Sequence, residues 1–199
     1  MEKRKEYSES IVNQIRKELR EAFPSDSDLA VVVTGSFGRN EASKVSDMDW
    51  YVVVNEPLDK STTAQIEEKV TSIVNNHVKK NVGDTGTFGG VVAKEELLVN
   101  FGGDDDTNKK FTRRMLYLLE SKWLFNESFY EDLKNEILSR YIKVGVTDSG
   151  LNRFILNDVI RYYRTICTDY EFKVYESDKK WGLEKLNSVS LVSYCISLD

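Results

Sequence analysis

The chain has 199 residues, 40% of them hydrophobic and 31% charged, and a formal net charge of −5. This length suits one domain, or a domain with a helical appendage, and it buries a core without disulfide or metal staples. The acidic balance argues against a protein built mainly to coat nucleic acid, while leaving room for a local basic pocket.

Ile11, Ile15, Leu19 and Phe23 recur every fourth residue, with Val12 beside them, which marks one face of an amphipathic helix. Pro24 and the polar residues after it end that helix. Residues 29–34 are apolar and β-branched and read as a buried strand. A Gly35–Ser36 turn and a short polar segment lead to a second strand over residues 49–54. Pro57 breaks the chain, and Ile66, Val70, Ile73, Val74 and Val78 predict a helix. Residues 81–90 are glycine-rich and turn-like, residues 91–93 are a short strand, and residues 95–99 fit either strand or helix.

After Gly102–Gly103 the pattern becomes helical, through Phe111, Met115, Leu118 and Leu119, then Phe129, Leu133, Ile137 and Tyr141, then Phe154, Ile155, Val159, Tyr162, Tyr163 and Ile166. The expected fold class is therefore α/β (α+β), with a small mixed β-sheet core over residues 1–103 and an all-helical region over residues 104–199. Asp104, Asp105 and Asp106 do not open a calcium loop, since Lys109 stands where glycine is required; a linker and helix N-cap role fits better. Asn126 reads as a helix N-cap, and Tyr162 and Tyr163 as core or helix-interface aromatics. The tail through Leu191, Tyr194 and Ile196 reads either as a truncated helical region or as a short terminal element.

Several classes are excluded early. The opening residues are charged and lack the apolar stretch of a secretory signal, and the longest apolar run, near residues 30–33, is far short of a membrane span. Cys167 and Cys195 stand apart from any second ligand pair and read as reduced cytosolic thiols, so a cytoplasmic protein without a membrane partner is expected. The single histidine, His77, reads as a solvated helix-end residue and leaves no material for a His-rich metal hydrolase.

The informative stretch is residues 31–54. Asp47 and Asp49 stand two apart at the entry to a strand, where extended backbone points both to one side. Paired carboxylates suit Mg²⁺, which keeps positions open for water and phosphate oxygens. Gly35 permits a sharp turn with close backbone approach, and Ser36 adds a hydroxyl donor, so the turn favours phosphate. No Walker A sequence occurs, so the chain is not a P-loop protein. Arg39 and Lys44 lie between turn and strand, where they neutralise triphosphate charge or pair on the surface with Glu41. Arg113 and Arg114 open the helical half about 100° apart, which lets one of them, Arg113 in the site proposed here, face the cleft.

Gly35–Ser36–Phe37–Gly38–Arg39, followed by Ser46, Asp47, Met48, Asp49 and the strand at residues 50–54, resembles the signature of the polymerase β-like nucleotidyltransferases. The helical part is more loosely similar to bacterial stand-alone nucleotidyltransferases distantly related to the PII uridylyltransferase. The resemblance implies transfer of an NMP from a nucleoside triphosphate to an acceptor with release of pyrophosphate. It implies two Mg²⁺ or Mn²⁺ ions on Asp47 and Asp49, with Gly35 and Ser36 on the β- and γ-phosphates and Ser46 beside the aspartates. It also implies a third acidic residue on a later strand, for which Glu95 is preferred to Glu96 and Asp84. The acceptor is left open among a protein side chain, a small molecule, a second nucleotide and a nucleic-acid end. Alternatives are a nucleotide second-messenger or oligonucleotide synthase of phage defence and a catalytically silent nucleotide-binding module. A homodimer is the base-rate expectation for oligomeric state.

Overall fold

The computed structural model describes residues 2–78, 89–99, 101–142 and 153–177. In chain order the elements are α1 (Glu2–Ala22), β1 (Leu29–Val33), α2 (Gly35–Gly38), β2 (Trp50–Val54), α3 (Lys60–His77), β3 (Val91–Ala93), α4 (Glu95–Leu98), α5 (Asn108–Leu119), β4 (Lys122–Phe125), α6 (Glu127–Tyr141) and α7 (Arg153–Ser177). The segment at residues 95–98, open between strand and helix on sequence grounds, is the short helix α4. The chain divides into one compact unit over Met1–Arg140 and a second over Tyr141–Asp199.

The first unit is built on a four-stranded mixed sheet in the order β3-β2-β1-β4. β1 pairs antiparallel with β2 and β4, while β2 and β3 run parallel. Every residue of β1 and β2 is buried, which is why both read as continuous apolar runs without alternation. One face carries Leu29, Val31, Val33, Trp50, Val52, Val54 and Ala93 against the apolar stripes of α1 and α3. The other face carries Ala30, Val32, Tyr51, Val53 and Val92, also buried. On that face Tyr51 lies within electrostatic reach of Arg113 on α5 and Tyr130 on α6.

β4 lies in the region expected to be all-helical. Its four residues fall between two strong helical patterns, too few to show a period of their own, and only pairing with β1 makes them a strand. The sheet-bearing unit thus extends past residue 103.

Local chemistry sets the helix ends. Asp59 caps α3 by accepting from the Ser61 and Thr62 amides at 2.8 and 3.0 Å. Asn126 caps α6 by accepting from the Phe129 amide at 3.1 Å, as its sequence context suggests. Thr107 accepts from the Lys110 amide at the start of α5. His77, expected to be solvated, is half-buried, and its Nε2 lies 2.6 Å from Glu18 Oε1, which ties the end of α3 to α1.

The adjacent arginines of α5 diverge as helix geometry requires. Arg114 is fully buried and donates to Asp106 Oδ2 at 2.7 Å, with its guanidinium 4.1 Å from the Phe101 ring centroid. The same carboxylate oxygen accepts from the Gly102 amide at 3.0 Å, so Asp106 pins the glycine loop onto α5.

In the second unit, the Tyr141 hydroxyl donates to Asp158 Oδ2 at 2.8 Å and its ring lies 5.1 Å from that of Phe154. Tyr162 is buried with the Tyr163 ring 5.5 Å away, in keeping with a core role. The tail residues Leu191, Tyr194 and Ile196, like Asp84 and Cys195, lie outside the described residues. Among the described residues no helix is long and apolar enough to cross a membrane.

Breaking the buried ion pair from one side should be costly. Asp106→Ala is expected to lower the unfolding free energy by about 3–5 kcal/mol, because it removes the carboxylate paired with the buried Arg114 charge. Asp106→Leu with Arg114→Met should cost less than the single change. Urea unfolding of both variants checks this; equal losses would show that the Arg114 charge left behind is not the cause.

Candidate active site

The site is assembled by the register of β1 on β2. Val33 pairs with Trp50, and the ladder continues one step further, with the Thr34 amide donating to the Asp49 carbonyl at 2.8 Å. Gly35 and Ser36 therefore emerge beside Asp49 although they lie more than a dozen residues upstream. Gly35 has φ +63°, and a Cβ built on it would stand 3.4 Å from Asp49 Oδ2. The aspartate side chain thus lies directly against the glycine turn.

Met48 between the aspartates is fully buried, whereas Asp47 and Asp49 are half-buried. In extended chain this alternation sends both aspartates to the side opposite Met48. The next residue on that side is Tyr51. Its hydroxyl is buried without a hydrogen-bond partner among the described residues, and burial raises its pKa far above the usual tyrosine value, opposed by the Arg113 charge.

The second glycine of the motif answers a different need. A Cβ on Gly38 would stand 2.0 Å from the Glu120 carbonyl oxygen, so only glycine lets α2 close onto the chain between α5 and β4. Arg39 secures the same contact by pairing with Glu120 and, at 2.9 Å, with Glu41. Burial alone would lower the Arg39 pKa; the Glu120 and Glu41 carboxylates outweigh it and hold it above the ordinary arginine value. Of the two readings of Arg39, the structure supports the ion pair, and it adds Glu120, which no sequence signal marked.

The other candidates fall as follows. Among the described residues the Ser36 hydroxyl makes no hydrogen bond, and the Thr34 side chain does not cap α2. Ser46 Oγ accepts from the Ser43 amide at 3.0 Å and so shapes the turn before the aspartates. Lys44 is exposed on that turn. Arg113 is buried, donates to the Gly89 carbonyl at 3.1 Å, and has a pKa held down by burial against the charges of Glu96 and Tyr51.

Glu95 is not brought to the aspartates. Ala93 pairs with Val54 in parallel register, five residues beyond Asp49. At ~3.3 Å per residue that is roughly 16 Å along the sheet, and Glu95 lies further on, at the start of α4. This parallel pairing puts the end of β3, with Glu95 after it, at the opposite end of the sheet from the start of β2. Among the described residues no three His, Cys, Asp or Glu side chains converge as a metal site. Two carboxylates remain, and this donor set fits Mg²⁺, which takes one or two protein carboxylates and completes its shell with water and substrate phosphates.

The buried apolar β1–β2 pair thus carries the Gly-Ser turn against Asp49. Residues 12–97 match the family described as nucleotidyltransferase domain. No curated protein matches the chain. One solved structure, described as a crystal structure of a toxin-antitoxin with AMP-PNP, aligns over 80% of this chain and 98% of its own, at 15% identity and a TM-score of 0.38.

The two glycines make separable predictions. Gly35→Ala places a side chain in the left-handed region, at about 1–2 kcal/mol. Gly38→Ala should cost about 3 kcal/mol, the upper end for overpacking, because the obstacle is backbone. Unfolding curves of both variants test the order; a milder effect at Gly38 would contradict the close approach.

Proposed function

We propose that this chain is a metal-dependent nucleotidyltransferase that moves an NMP from a nucleoside triphosphate to an acceptor and releases pyrophosphate. The observation that carries the reading is the contact of Asp49 with the Gly35 turn, set by the Val33–Trp50 register. It sets the Asp49 carboxylate beside a glycine turn, and this supports reading the turn as a phosphate site next to metal-binding oxygens.

In this reading Asp47 and Asp49 hold divalent metal, Mg²⁺ or Mn²⁺, in two ions. Such ions, when bound, neutralise triphosphate charge and make an acceptor hydroxyl more acidic. Gly35 offers a backbone surface with no side chain in the way, and Ser36 offers a hydroxyl whose hydrogen-bonding capacity is unspent within the described protein. Lys44 supplies a mobile positive charge at the rim. Ser46 acts through the turn, holding Asp47 in place. Arg113 fixes one wall, through the Gly89 carbonyl, on the side where Tyr51 lies. Most of the rate gain is then positioning and charge compensation in a partly desolvated cleft. The acceptor class, including a second nucleotide as in signal synthesis, is a matter for direct assay.

One observation favours a second reading. With Glu95 at the far end of the sheet, the described residues bring two carboxylates to the site and no third. A nucleotide-binding module without transfer needs no more than that.

The deciding assay incubates the full chain with each labelled nucleoside triphosphate and Mg²⁺ or Mn²⁺, then analyses small molecules and protein by mass. Pyrophosphate release with a labelled product is expected. Asp47→Asn and Asp49→Asn should each reduce it by roughly three orders of magnitude while the metal-free protein keeps its melting temperature. Metal plus nucleotide should raise that temperature by mass action. Stabilisation without any product in all four nucleotide assays would select the silent module, and neither effect would reject the site.

A further inference from the structure

A cavity of about 390 Å³ lies between α1, β4 and α6, with Asn40 in its lining. Its volume is within the roughly 300–1,000 Å³ usual for small-molecule sites. Three cations line it from three different elements: Arg16 on α1, Lys122 on β4 and Lys134 on α6. All three are half-buried, while the two carboxylates at the cavity, Glu9 and Glu131, are exposed. The interior is thus positive in a protein whose net charge is −5.

The cations are fixed in place but not satisfied. Arg16 donates Nε and Nη2 to the Trp123 carbonyl at 3.2 and 3.0 Å, and its guanidinium lies 3.3 Å from the Trp123 ring centroid. Its Nη1 reaches Asn13 at 3.2 Å. Lys122 donates to Asn40 Oδ1, and Lys134 to the Tyr130 hydroxyl at 3.5 Å. Each ammonium carries three donors, so both lysines retain capacity after these bonds. The Asn40 amide nitrogen, too, makes no hydrogen bond among the described residues. Lys122 is under electrostatic stress: burial lowers its pKa, Glu9 opposes this, and Arg16 and Lys5 lower it further. An anion bound here would relieve both the desolvation and the crowding of like charge.

We propose that this cavity is a second ligand site, distinct from the nucleotide site, which takes a small molecule bearing a phosphate or carboxylate group. The oxyanion sits among Lys122, Lys134 and Arg16, and hydrogen-bond donors elsewhere on the ligand face Glu9 and Glu131. Its position gives it a route to the catalytic turn. Asn40, held by Lys122, has φ +62° and lies two residues beyond the end of α2. Lys122 also pairs in register with Val33, two residues before Gly35. A ligand that pulls on Lys122 therefore bears on both ends of α2.

The test titrates the full chain with inorganic phosphate and, separately, with citrate, at constant ionic strength, by calorimetry. Saturable binding of one or both anions is expected, and which one binds separates the phosphate source from the carboxylate source. Lys122→Gln should weaken binding at least ten-fold, and Lys134→Gln, at a partly exposed position, should weaken it in a variant that keeps the wild-type melting temperature. Ser36→Ala should leave it unchanged. No saturable binding of either anion overturns the proposal. So does binding that is lost in Ser36→Ala and kept in the lysine variants, which would place the anion on the glycine turn instead.

Discussion

The pairing of Val33 with Trp50 is the constraint on which the rest of the molecule depends. It sits at the end of two five-residue strands buried on both faces. A slip of one residue would send every side chain of β2 to the wrong face, moving Trp50, Val52 and Val54 out of the α1–α3 core. Such a slip would also carry Asp49 away from Gly35. Core packing and site geometry are therefore enforced by the same ladder, and the site needs no separate source of stability to hold its aspartates against the turn.

The turn is held from behind as well as from the side. Gly38 lets α2 touch the Glu120 backbone, Arg39 bridges to the Glu120 carboxylate, and Lys122 holds Asn40. Ser8 adds a further tie, its buried hydroxyl accepting from the Ala42 amide at 3.1 Å. These contacts come from α1, from the segment between α5 and β4 and from β4 itself, so the part of the chain beyond residue 103 shapes the turn without supplying either aspartate. The same arrangement explains why a basic cavity can form beside Asn40: β4 brings Lys122 and Trp123 to α1, and α6 closes the side.

Much of this was legible because its causes are local. The α1 stripe, the two apolar strands, the Asn126 cap and the divergence of Arg113 from Arg114 follow from side-chain period, capping chemistry and helix geometry. The pairing of Asp47 and Asp49 on one side follows from extended backbone with Met48 turned inward. The sharp turn at Gly35 was readable because a glycine at the end of a buried strand permits the left-handed backbone found there.

What the sequence alone determined, then, is the α/β class, the strand–turn–strand unit and the identity of its two aspartates, all properties of residues within about twenty positions of one another. The tertiary structure decided what depends on distant partners. Lys122–Phe125 is a strand only because β1 offers it an edge, and Arg39 is an internal ion pair only because Glu120 arrives from 81 residues away. Glu95 lies at the far end of the sheet because β3 runs parallel to β2, a direction that no residue type encodes. His77 is paired because α1 brings Glu18 to it. Strand direction, edge pairing and long-range charge neutralisation are set by how the whole chain minimises exposed apolar surface and unpaired polar groups, and that balance is struck only once the chain has folded.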